Sequence, residues 1–335
     1  MSHLLLVGNP TAQSGKNAER IELACALFRE SGVEAELFPT LPGGETIEAL
    51  AGRLRSGSDE LVVSMGGDGT FREVAAAIVE SSRAAHVAMG MLPTGTANDQ
   101  GKSFGLEARE DALPRNVAVV CAGKETRLDA GRLHDLDESG RVLGSTWFFD
   151  SAGWGLSARV LSVRNRDRKT VEDLGPLKEL YRDHLVYAGA LLRTFMESQL
   201  VCSEFSARIT VDGVEHEHRG LTDLVIKGTR IYGGAWVFDP TSRHDDGQFE
   251  LVLFRSKREW VSKAIVDLDG NPVTEEMLNE IGVEHFKPLR GRAFELALSA
   301  DGDVPVFAQV DGEEIPASAR VRVDVVPQAL RLIVP

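Results

Sequence analysis

The sequence of 335 residues contains little cysteine and few aromatic side chains. Cys25, Cys121 and Cys202 are odd in number and widely spaced, and none belongs to a C-x-x-C pair. A disulfide framework and a structural zinc site are therefore not indicated, and a reducing compartment fits this cysteine usage. Aromatic residues make up 6% of the chain and hydrophobic residues 43%, which is ordinary for a soluble globular protein.

Basic charge and long apolar runs are also scarce. The chain has 37 Lys and Arg against 51 Asp and Glu, a formal net charge of −14. Nucleic-acid-binding proteins carry a basic footprint, so we expect no nucleic-acid partner. No uncharged apolar stretch approaches the ~20 residues of a spanning helix, and residues 1–8 lack a basic leader. We expect a cytoplasmic protein that is neither secreted nor membrane-spanning.

The two halves of the chain have different hydrophobic patterns. The first third alternates short apolar runs with helical patterns, which is typical of a parallel sheet with helices on its faces. This pattern predicts strands at 4–8, 34–39, 61–65 and 87–91 and helices near 18–31, 45–56 and 70–82. After about residue 124, β-branched runs joined by turns such as Asp212-Gly213 and Asp246-Gly247 predict mostly antiparallel β-structure. An amphipathic helix is predicted to interrupt that half at 177–195.

These patterns predict two lobes with a cleft between them. The first is an α/β domain with a doubly wound parallel sheet at 1–127, and the second is a mostly antiparallel, β-sandwich-like domain at 128–319. Two domains suit a chain of this length, since single cores stop growing at roughly 250 to 300 residues. Residues 320–335 contain a strand-like alternation and an apolar run, and we expect them to return to the first domain.

A glycine-rich turn, Gly66-Gly67-Asp68-Gly69-Thr70, follows a predicted buried strand and precedes a predicted helix. Glycines at such a junction let backbone amides approach a ligand, and a helix N-terminus favours an anion, so phosphate is the natural guest. An acid beside phosphate is unfavourable unless a cation intervenes, which suggests that Asp68 organises Mg²⁺ or its waters. The alternative is that Asp68 merely caps the helix.

Two further turns follow predicted strands, and the carboxyl ends of parallel strands line one crevice. One is Leu92-Pro93-Thr94-Gly95-Thr96-Ala97-Asn98-Asp99, and the other is Asn9-Pro10-Thr11-Ala12-Gln13-Ser14-Gly15-Lys16. The latter brings a lysine suited to a nucleotide phosphate. It is not a Walker A loop, because Pro10 and Asn17 occupy positions that such a loop fills with Gly and with Ser or Thr.

Together the three turns resemble those of the diacylglycerol kinase catalytic family, which includes sphingosine kinases and the bacterial soluble lipid kinases. The resemblance extends over essentially the whole chain, because the β-rich half contains Asp245-Asp246-Gly247 and Asp311-Gly312-Glu313. It implies an ATP-dependent lipid kinase that transfers the γ-phosphate to a hydroxyl of a membrane lipid such as diacylglycerol.

The resemblance also implies roles for individual residues. ATP would bind across the three turns, at Asn9, Pro10, Thr11, Ser14, Gly15, Thr40, Gly66, Gly67, Asp68, Gly69, Thr70 and Thr96. A structural Mg²⁺ would be held by the Asp246 carboxylate and the Arg243 and Gln248 carbonyls. Hard cations favour such oxygens, although Asp-Asp-Gly is equally a good hairpin turn.

The general base implied by the resemblance is Glu313, which would accept the proton of the lipid hydroxyl beside the γ-phosphate. Asp68 would be the second catalytic residue, and Glu314 leaves an ambiguity about the base. The chain also departs from the family pattern. Arg72 stands where relatives often have Asn, Gln100-Gly101 replaces an aromatic and a small residue, and Ala12-Gln13 lengthens the first turn. These departures concern nucleotide contacts rather than the reaction class.

A lipid kinase must reach a bilayer, and the chain contains a candidate docking segment. The run 159–169 carries five basic residues against one acid, and an amphipathic helix is predicted after it. We expect peripheral contact with anionic headgroups, with a solvated loop as the alternative. The oligomeric state, including a homodimer, is left open.

Two rival functions share some of these features. A soluble small-molecule kinase resembling NAD kinase would also contain Gly-Gly-Asp-Gly-Thr, but the Asn-Glu motif that normally follows in that family has no clear counterpart. The second rival is a non-catalytic regulator that binds lipid or nucleotide. Because Asp68, Asp246 and Glu313 are all present, no missing group supports it. The identity of the acceptor lipid does not follow from the sequence.

Overall fold

The structure is a computed structural model that describes residues 2–95, 98–159, 161, 204–231, 242–255, 287–302 and 304–335. Three predicted features lie outside the described residues: the helix at 177–195, nearly all of the basic run 159–169, and Thr96.

The N-terminal third forms the predicted parallel sheet. Strands β1 (Ser2–Gly8), β2 (Val33–Pro39), β3 (Leu61–Gly66) and β4 (Ala88–Pro93) run in the order β2-β1-β3-β4. The helices are α1 (Lys16–Glu30), α2 (Glu45–Ser56), α3 (Asp68–Glu80), α4 (Asp99–Ser103) and α5 (Leu113–Ala122). The predicted strands and helices of this region are confirmed, each within two residues at either end.

Apolar periodicity explains why these segments form a layered sheet. Every residue of β4 is buried, as expected for a strand covered on both faces. Helix α3 buries Phe71, Val74, Ala75 and Ile78, which recur at helical spacing and pack on the sheet. The α/β class of the N-terminal region is confirmed.

The rest of the described chain is antiparallel, apart from one pairing. The strands are β5 (Glu125–Leu136), β6 (Val142–Phe148), β7 (Ser151–Gly155), β8 (Phe205–Val211), β9 (Val214–Leu221), β10 (Asp223–Lys227), β11 (Phe249–Phe254), β12 (Leu289–Gly291), β13 (Ala293–Ala300), β14 (Ala308–Val310), β15 (Glu313–Ile315) and β16 (Arg320–Ile333). One sheet has the order β12-β11-β10-β7-β14-β15. Its inner side chains, such as Trp154 and Phe249, share a core with Phe205 and Phe294 of the other sheet, as in a sandwich.

Strand β16 joins the parallel strands of the N-terminal region to antiparallel strands within one mixed sheet. Arg331 and Leu332 pair in parallel with β4, whereas β16 pairs antiparallel with β5 and β13. The result is one ten-stranded sheet, in which eight strands follow the path β2-β1-β3-β4-β16-β13-β8-β9 and β5 and β6 lie off this path, with β5 paired to both β16 and β6. Gln328 has a left-handed φ of 51° at the irregularity between Val326 and Leu330. The domain boundaries at 127 and 319 stay a prediction.

The predicted turns have different outcomes. Asp212 and Gly213 have φ values of 48° and 86° and join β8 to β9, so this two-residue hairpin is confirmed. Asp246 and Gly247 instead lie in a loop that leads directly into β11. Within the described part of the chain, no helix is long and apolar enough to cross a membrane.

Candidate active site

The predicted ligand turns meet at one edge of the parallel sheet. Strands β1, β3 and β4 are neighbours, so the turns that follow them lie side by side. The Thr94 N–H donates to the Gly66 carbonyl at 2.8 Å, and the Thr40 N–H donates to the Gly8 carbonyl at 3.1 Å. The fold therefore brings Thr40 and the three turns to the same edge, where α/β proteins bind ligands.

In chain order, the second turn (residues 66–70) and the third turn (residues 92–99) touch through their backbones. A Cβ at Gly95 would lie 2.6 Å from the Gly67 Cα, so this contact requires glycine. Asn98 holds the third turn in shape from a left-handed conformation, with a φ of 51°. Its Oδ1 accepts the Gly95 N–H at 3.0 Å, and its Nδ2 donates to the Gly95 carbonyl at 2.5 Å.

The first turn is organised by Asn9. Its Oδ1 accepts the Thr11 N–H at 2.9 Å and the Thr11 hydroxyl at 2.8 Å, and its carbonyl accepts the Asn17 Nδ2 at 2.7 Å. A short 3-10 helix, Ala12–Gly15, follows Pro10 and Thr11 and contains Ser14. Gly15, with a φ of 90°, then begins α1 as its N-cap residue. All the described residues expected to bind nucleotide thus belong to the three turns or to Thr40.

Asp68 is the first residue of α3, and the N-cap position belongs to Gly67, which has extended backbone. The Asp68 Oδ1 accepts the N–H of Gln100 at 3.4 Å, so its carboxylate bonds across to α4, which directly follows the third turn. Burial raises the pKa of Asp68, while the backbone N–H groups of Gln100 and Asn98 oppose that rise. A partly desolvated carboxylate at this edge suits a cation ligand better than a helix cap.

Glu313 comes to the same place from the far end of the chain. Asp311 and Gly312, with φ values of 45° and 75°, form the two-residue hairpin between β14 and β15. Glu313 is the next residue, and its Oε1 lies so close to Gly69 that a Cβ there would overlap it. Successive side chains of a strand point to opposite faces, so the geometry favours Glu313 over Glu314 as the base.

Arg72 lies against Glu313. Its Nη2 contacts the Glu313 Oε2, and the Arg72 side chain is 16% exposed against 49% for Glu313. Glu73 follows on α3, and burial and the Glu313 charge raise its pKa while the Arg72 charge lowers it. Arg72, one of the departures from the family pattern, therefore places a positively charged guanidinium beside Glu73 and beside Glu313, the expected base.

Asp311 anchors the hairpin from inside the protein. Its carboxylate accepts the N–H groups of Phe149, Asp150 and Ser151 at 3.0, 2.8 and 3.0 Å. Burial raises the pKa of Asp311 to about 6, against a smaller lowering by the Arg72 charge. The main-chain donors hold the turn that carries Glu313, so a displaced Asp311 would displace the base.

Asp150 is a second buried acid that the sequence analysis did not identify. Burial raises its pKa well above the ordinary value, and the charges of Asp99, Asp311 and Asp68 raise it further. Its carboxylate accepts the Thr229 hydroxyl and, at 3.2 Å, the Ser151 hydroxyl. The available signal was a lone carboxylate in the otherwise uncharged run 147–158.

The pKa of Asp311 predicts a pH dependence of stability. Because its folded pKa, about 6, exceeds the ordinary 3.8, the folded state holds this proton more tightly than the unfolded state. The resulting stability is fully present below the ordinary pKa of 3.8 and is lost as pH rises through ~6, a total difference of roughly 3 kcal/mol. Relative to Asp311→Asn, the wild type should lose that amount as pH rises from about 3 to about 7 in urea unfolding. Parallel pH curves for the two proteins would contradict this assignment.

Asp137 supplies a control of opposite sign. Its exposed carboxylate has a lowered pKa because it accepts the Ser139 hydroxyl, so its contribution is present above the ordinary pKa and is lost as pH falls. Asp137→Asn should change the pH dependence of the unfolding free energy only slightly, and in the opposite direction to Asp311→Asn.

The expected metal loop, 243–248, packs on β5 and β16. The buried Asp129 carboxylate accepts the Gly247 N–H at 2.6 Å and the Gln328 N–H at 2.6 Å. Within the loop, the Asp246 Oδ1 accepts the Gln248 N–H at 3.0 Å, and Arg243 pairs with Asp245 at 3.1 Å.

The oxygen groups of this loop fit a hard cation. Burial raises the pKa of Asp129, and the neighbouring charges of Asp246 and Asp245 raise it further, so the site favours added positive charge. In the described ranges, no three His, Cys, Asp or Glu side chains are arranged to hold one ion. A cation here would thus need main-chain carbonyls, such as those expected of Arg243 and Gln248, besides the Asp246 carboxylate.

The metal loop and Asp68 lie at opposite ends of α4. Gln100, near the start of α4, bonds Asp68, whereas Phe104, just after its end, meets the His244 ring edge-on at 4.9 Å. The His244 Nε2 also lies 3.0 Å from the Thr126 Oγ1. The two cation positions expected from the sequence are therefore separate, and a loop cation would act on the site through α4.

Magnesium should stabilise the protein through this loop. With Mg²⁺ at about 100 times its dissociation constant, linkage predicts a rise of about 2.7 kcal/mol in unfolding free energy and an increase of several degrees in Tm. Asp246→Ala should remove most of that increase, while Asp111→Ala, an exposed acid on the other lobe, should keep it. Differential scanning calorimetry with Mg²⁺ or EDTA measures the difference. If Mg²⁺ raised the Tm of Asp246→Ala as much as that of the wild type, this loop would be excluded as the Mg²⁺ site.

Family models match most of the chain. The diacylglycerol kinase catalytic domain matches residues 3–133, and the YegS C-terminal NAD kinase beta sandwich-like domain matches residues 178–334. A diacylglycerol kinase of Mycobacterium tuberculosis is 25% identical over 318 residues, covering 93% of this chain and 92% of the relative. "Probable lipid kinase YegS-like" of Enterobacter sp. is 30% identical over 248 residues, covering 72% and 73%.

Solved structures share the fold at low sequence identity. A diacylglycerol kinase from Bacillus anthracis has a TM-score of 0.65 at 15% identity, with 100% of this chain and 97% of that chain covered. Yeast NADH kinase in complex with NADH has a TM-score of 0.54 at 10% identity, covering 100% and 84%. The two-domain fold class, with a parallel α/β region and an antiparallel β region, is thereby confirmed.

Proposed function

This chain belongs to the diacylglycerol kinase catalytic family, and we propose that it is an ATP-dependent kinase that phosphorylates a hydroxyl of a membrane lipid. The observation that carries the proposal is the position of Glu313, which packs over Gly69 at the N-terminus of α3. A carboxylate beside a glycine-rich turn is the arrangement that in-line phosphoryl transfer needs, because the base and the phosphate must be adjacent.

The three turns are proposed to hold ATP. Glycines 66, 67 and 69 lie at the start of α3 and carry no side chains of their own over the main chain there, and the helix dipole favours phosphate at this end. The Thr11 hydroxyl and Thr40, at the ends of β1 and β2, border the same edge. We assign the phosphates to these turns for that reason.

The chemistry proposed for the chain's own residues is proton removal and positioning. Glu313 accepts the proton of the lipid hydroxyl as its oxygen attacks the γ-phosphorus. Asp68, whose Oδ1 accepts the Gln100 N–H, is proposed to orient a cation on the phosphates. Mg²⁺ bound there would neutralise charge on the phosphates during transfer. Asp311 positions Glu313 by fixing the hairpin.

The test is phosphate transfer from γ-labelled ATP to a vesicle panel containing diacylglycerol, phosphatidylglycerol or a sphingoid base, with Mg²⁺. A parallel reaction replaces the vesicles by NAD and NADH. A labelled lipid supports the proposal and identifies the acceptor. Label in the dinucleotide alone would replace it by the soluble kinase, and bound ATP without any labelled product would favour the regulator.

Membrane contact is part of the proposal. The acceptor is insoluble in water, and the basic run 159–169 is the segment suited to anionic headgroups, at about 1 kcal/mol per cation. We propose peripheral association of a cytoplasmic enzyme. Sedimentation with the same vesicles should increase with their anionic fraction, and binding that is independent of that fraction would remove this part of the proposal.

A further inference from the structure

Arg72 has more hydrogen-bonding capacity than its surroundings use. It lies on α3, one turn beyond Gly69, and its Nη2 contacts the Glu313 carboxylate. Its Nε–H is buried and finds no hydrogen-bond acceptor within the described ranges. A guanidinium presents five donors in one plane, so a single carboxylate leaves donors available to another anion.

The same Glu313 carboxylate reaches both Arg72 and the start of α3. One oxygen contacts Arg72, and the other lies over Gly69. The guanidinium and the amides to which we assign the phosphates are therefore separated by about the width of the Glu313 carboxylate group. An anion on those amides and the Glu313 carboxylate must then compete for one cation.

The charges around Arg72 make this competition consequential. Its charge lowers the pKa of both Asp311 and Glu73, which places those acids within electrostatic reach of it. With Glu313, three acids share this guanidinium, so the local charge without ligand is negative. A phosphate that takes over Arg72 would experience less repulsion once Glu313 has accepted a proton.

We propose that Arg72 is a catalytic residue that exchanges its Glu313 partner for the γ-phosphoryl group of ATP, which frees the carboxylate to act as the base. The inference rests on the proposed function and assigns a role to a residue outside the set expected from the sequence. Arginine suits the role because its planar fork matches phosphate oxygens in a bidentate manner.

The exchange fits a balanced transfer step. The acceptor O–H gives its proton to Glu313, and the acceptor oxygen forms a bond to the γ-phosphorus. The bond from that phosphorus to the β,γ-bridging oxygen breaks, and its electron pair stays on ADP. Arg72 stabilises the negative charge on the equatorial oxygens of the group in flight. The proton on Glu313 then passes to solvent, and Arg72 regains its carboxylate partner.

A double-mutant cycle read by calorimetric binding of MgATP and MgADP to the full chain tests the exchange. Arg72→Asn should weaken ATP binding about tenfold or more, the size of one lost charged hydrogen-bond pair, with ADP binding nearly unchanged. Glu313→Gln should tighten ATP binding, because the competing carboxylate is gone. In the Arg72→Asn background, Glu313→Gln should have no such effect.

Two further variants exclude a general loss of structure. Arg72→Lys keeps the charge without the fork and should lie between wild type and Arg72→Asn in its preference for ATP over ADP. Arg331→Asn breaks a comparable pair with Glu125 at the opposite edge of the sheet and should change neither ligand's affinity. Equal ATP affinity in Arg72→Asn and wild type would overturn the role of Arg72 but leave the proposed function standing. A wild-type chain that binds no ATP would overturn the proposed function as well.

Discussion

Glu313→Gln is expected to reduce turnover by about 10²- to 10⁴-fold, the usual contribution of a general base. Glutamine keeps the shape of the side chain over Gly69 but cannot accept the proton of the acceptor hydroxyl. ATP binding should not be lost, since the three turns are untouched, and it should tighten if Arg72 exchanges partners as proposed. Initial rates with γ-labelled ATP and the acceptor found in the vesicle panel measure the loss, and Glu313→Ala should behave alike.

The neighbouring residue supplies the matched control. Glu314 pairs across the hairpin with Gln309, and strand alternation directs its side chain away from the face of Glu313. Glu314→Gln should therefore retain turnover close to that of the wild type. If Glu314→Gln lost activity while Glu313→Gln kept it, the assignment of the base would pass to Glu314.

Asp68→Asn should have the second largest effect, a loss of about 10²- to 10³-fold in turnover at a fixed Mg²⁺ concentration. The amide retains an oxygen for the Gln100 N–H but removes the negative charge that a cation requires. The Mg²⁺ concentration for half-maximal rate should rise at the same time. A Mg²⁺ titration of the initial rate separates this effect from a change in the chemical step.

The stability of Asp68→Asn tests whether the Asp68 carboxylate serves catalysis or folding. Burial raises the pKa of Asp68, and its charge also raises the pKa of Asp150, so its ionised form is unfavourable in the folded protein. Asp68→Asn should keep or raise the Tm while it loses turnover. A variant that loses stability and turnover together would indicate a structural role. One that keeps wild-type turnover and Mg²⁺ dependence would remove Asp68 from the mechanism.

The N-terminal elements could be predicted because each is encoded locally. The apolar run of β3, the glycines after it and the helical spacing from Phe71 to Ile78 lie within about twenty residues. Asp212-Gly213 likewise requires only its own backbone preferences to form a hairpin. The resemblance added Glu313, which the local pattern alone would describe as part of another hairpin.

What could not be predicted depends on contacts between distant segments. Asp150 gave only the weak signal of a lone acid among uncharged residues, and its neighbours Asp99, Asp311 and Asp68 come from other parts of the chain. Asp129 likewise meets Gly247 and Gln328 only after β5, β11 and β16 have assembled. Burial produces their shifted pKa values, and burial is a property of the packed structure.

The sequence by itself determined four strands, three helices and the three turns of the N-terminal region, because periodicity and backbone freedom act over a few neighbouring residues. The tertiary structure alone decided that Arg72 and Glu313, 241 residues apart, form a pair over the start of α3. Bringing these two residues together orders the chain between them, and burial of the hydrophobic cores offsets that entropy cost.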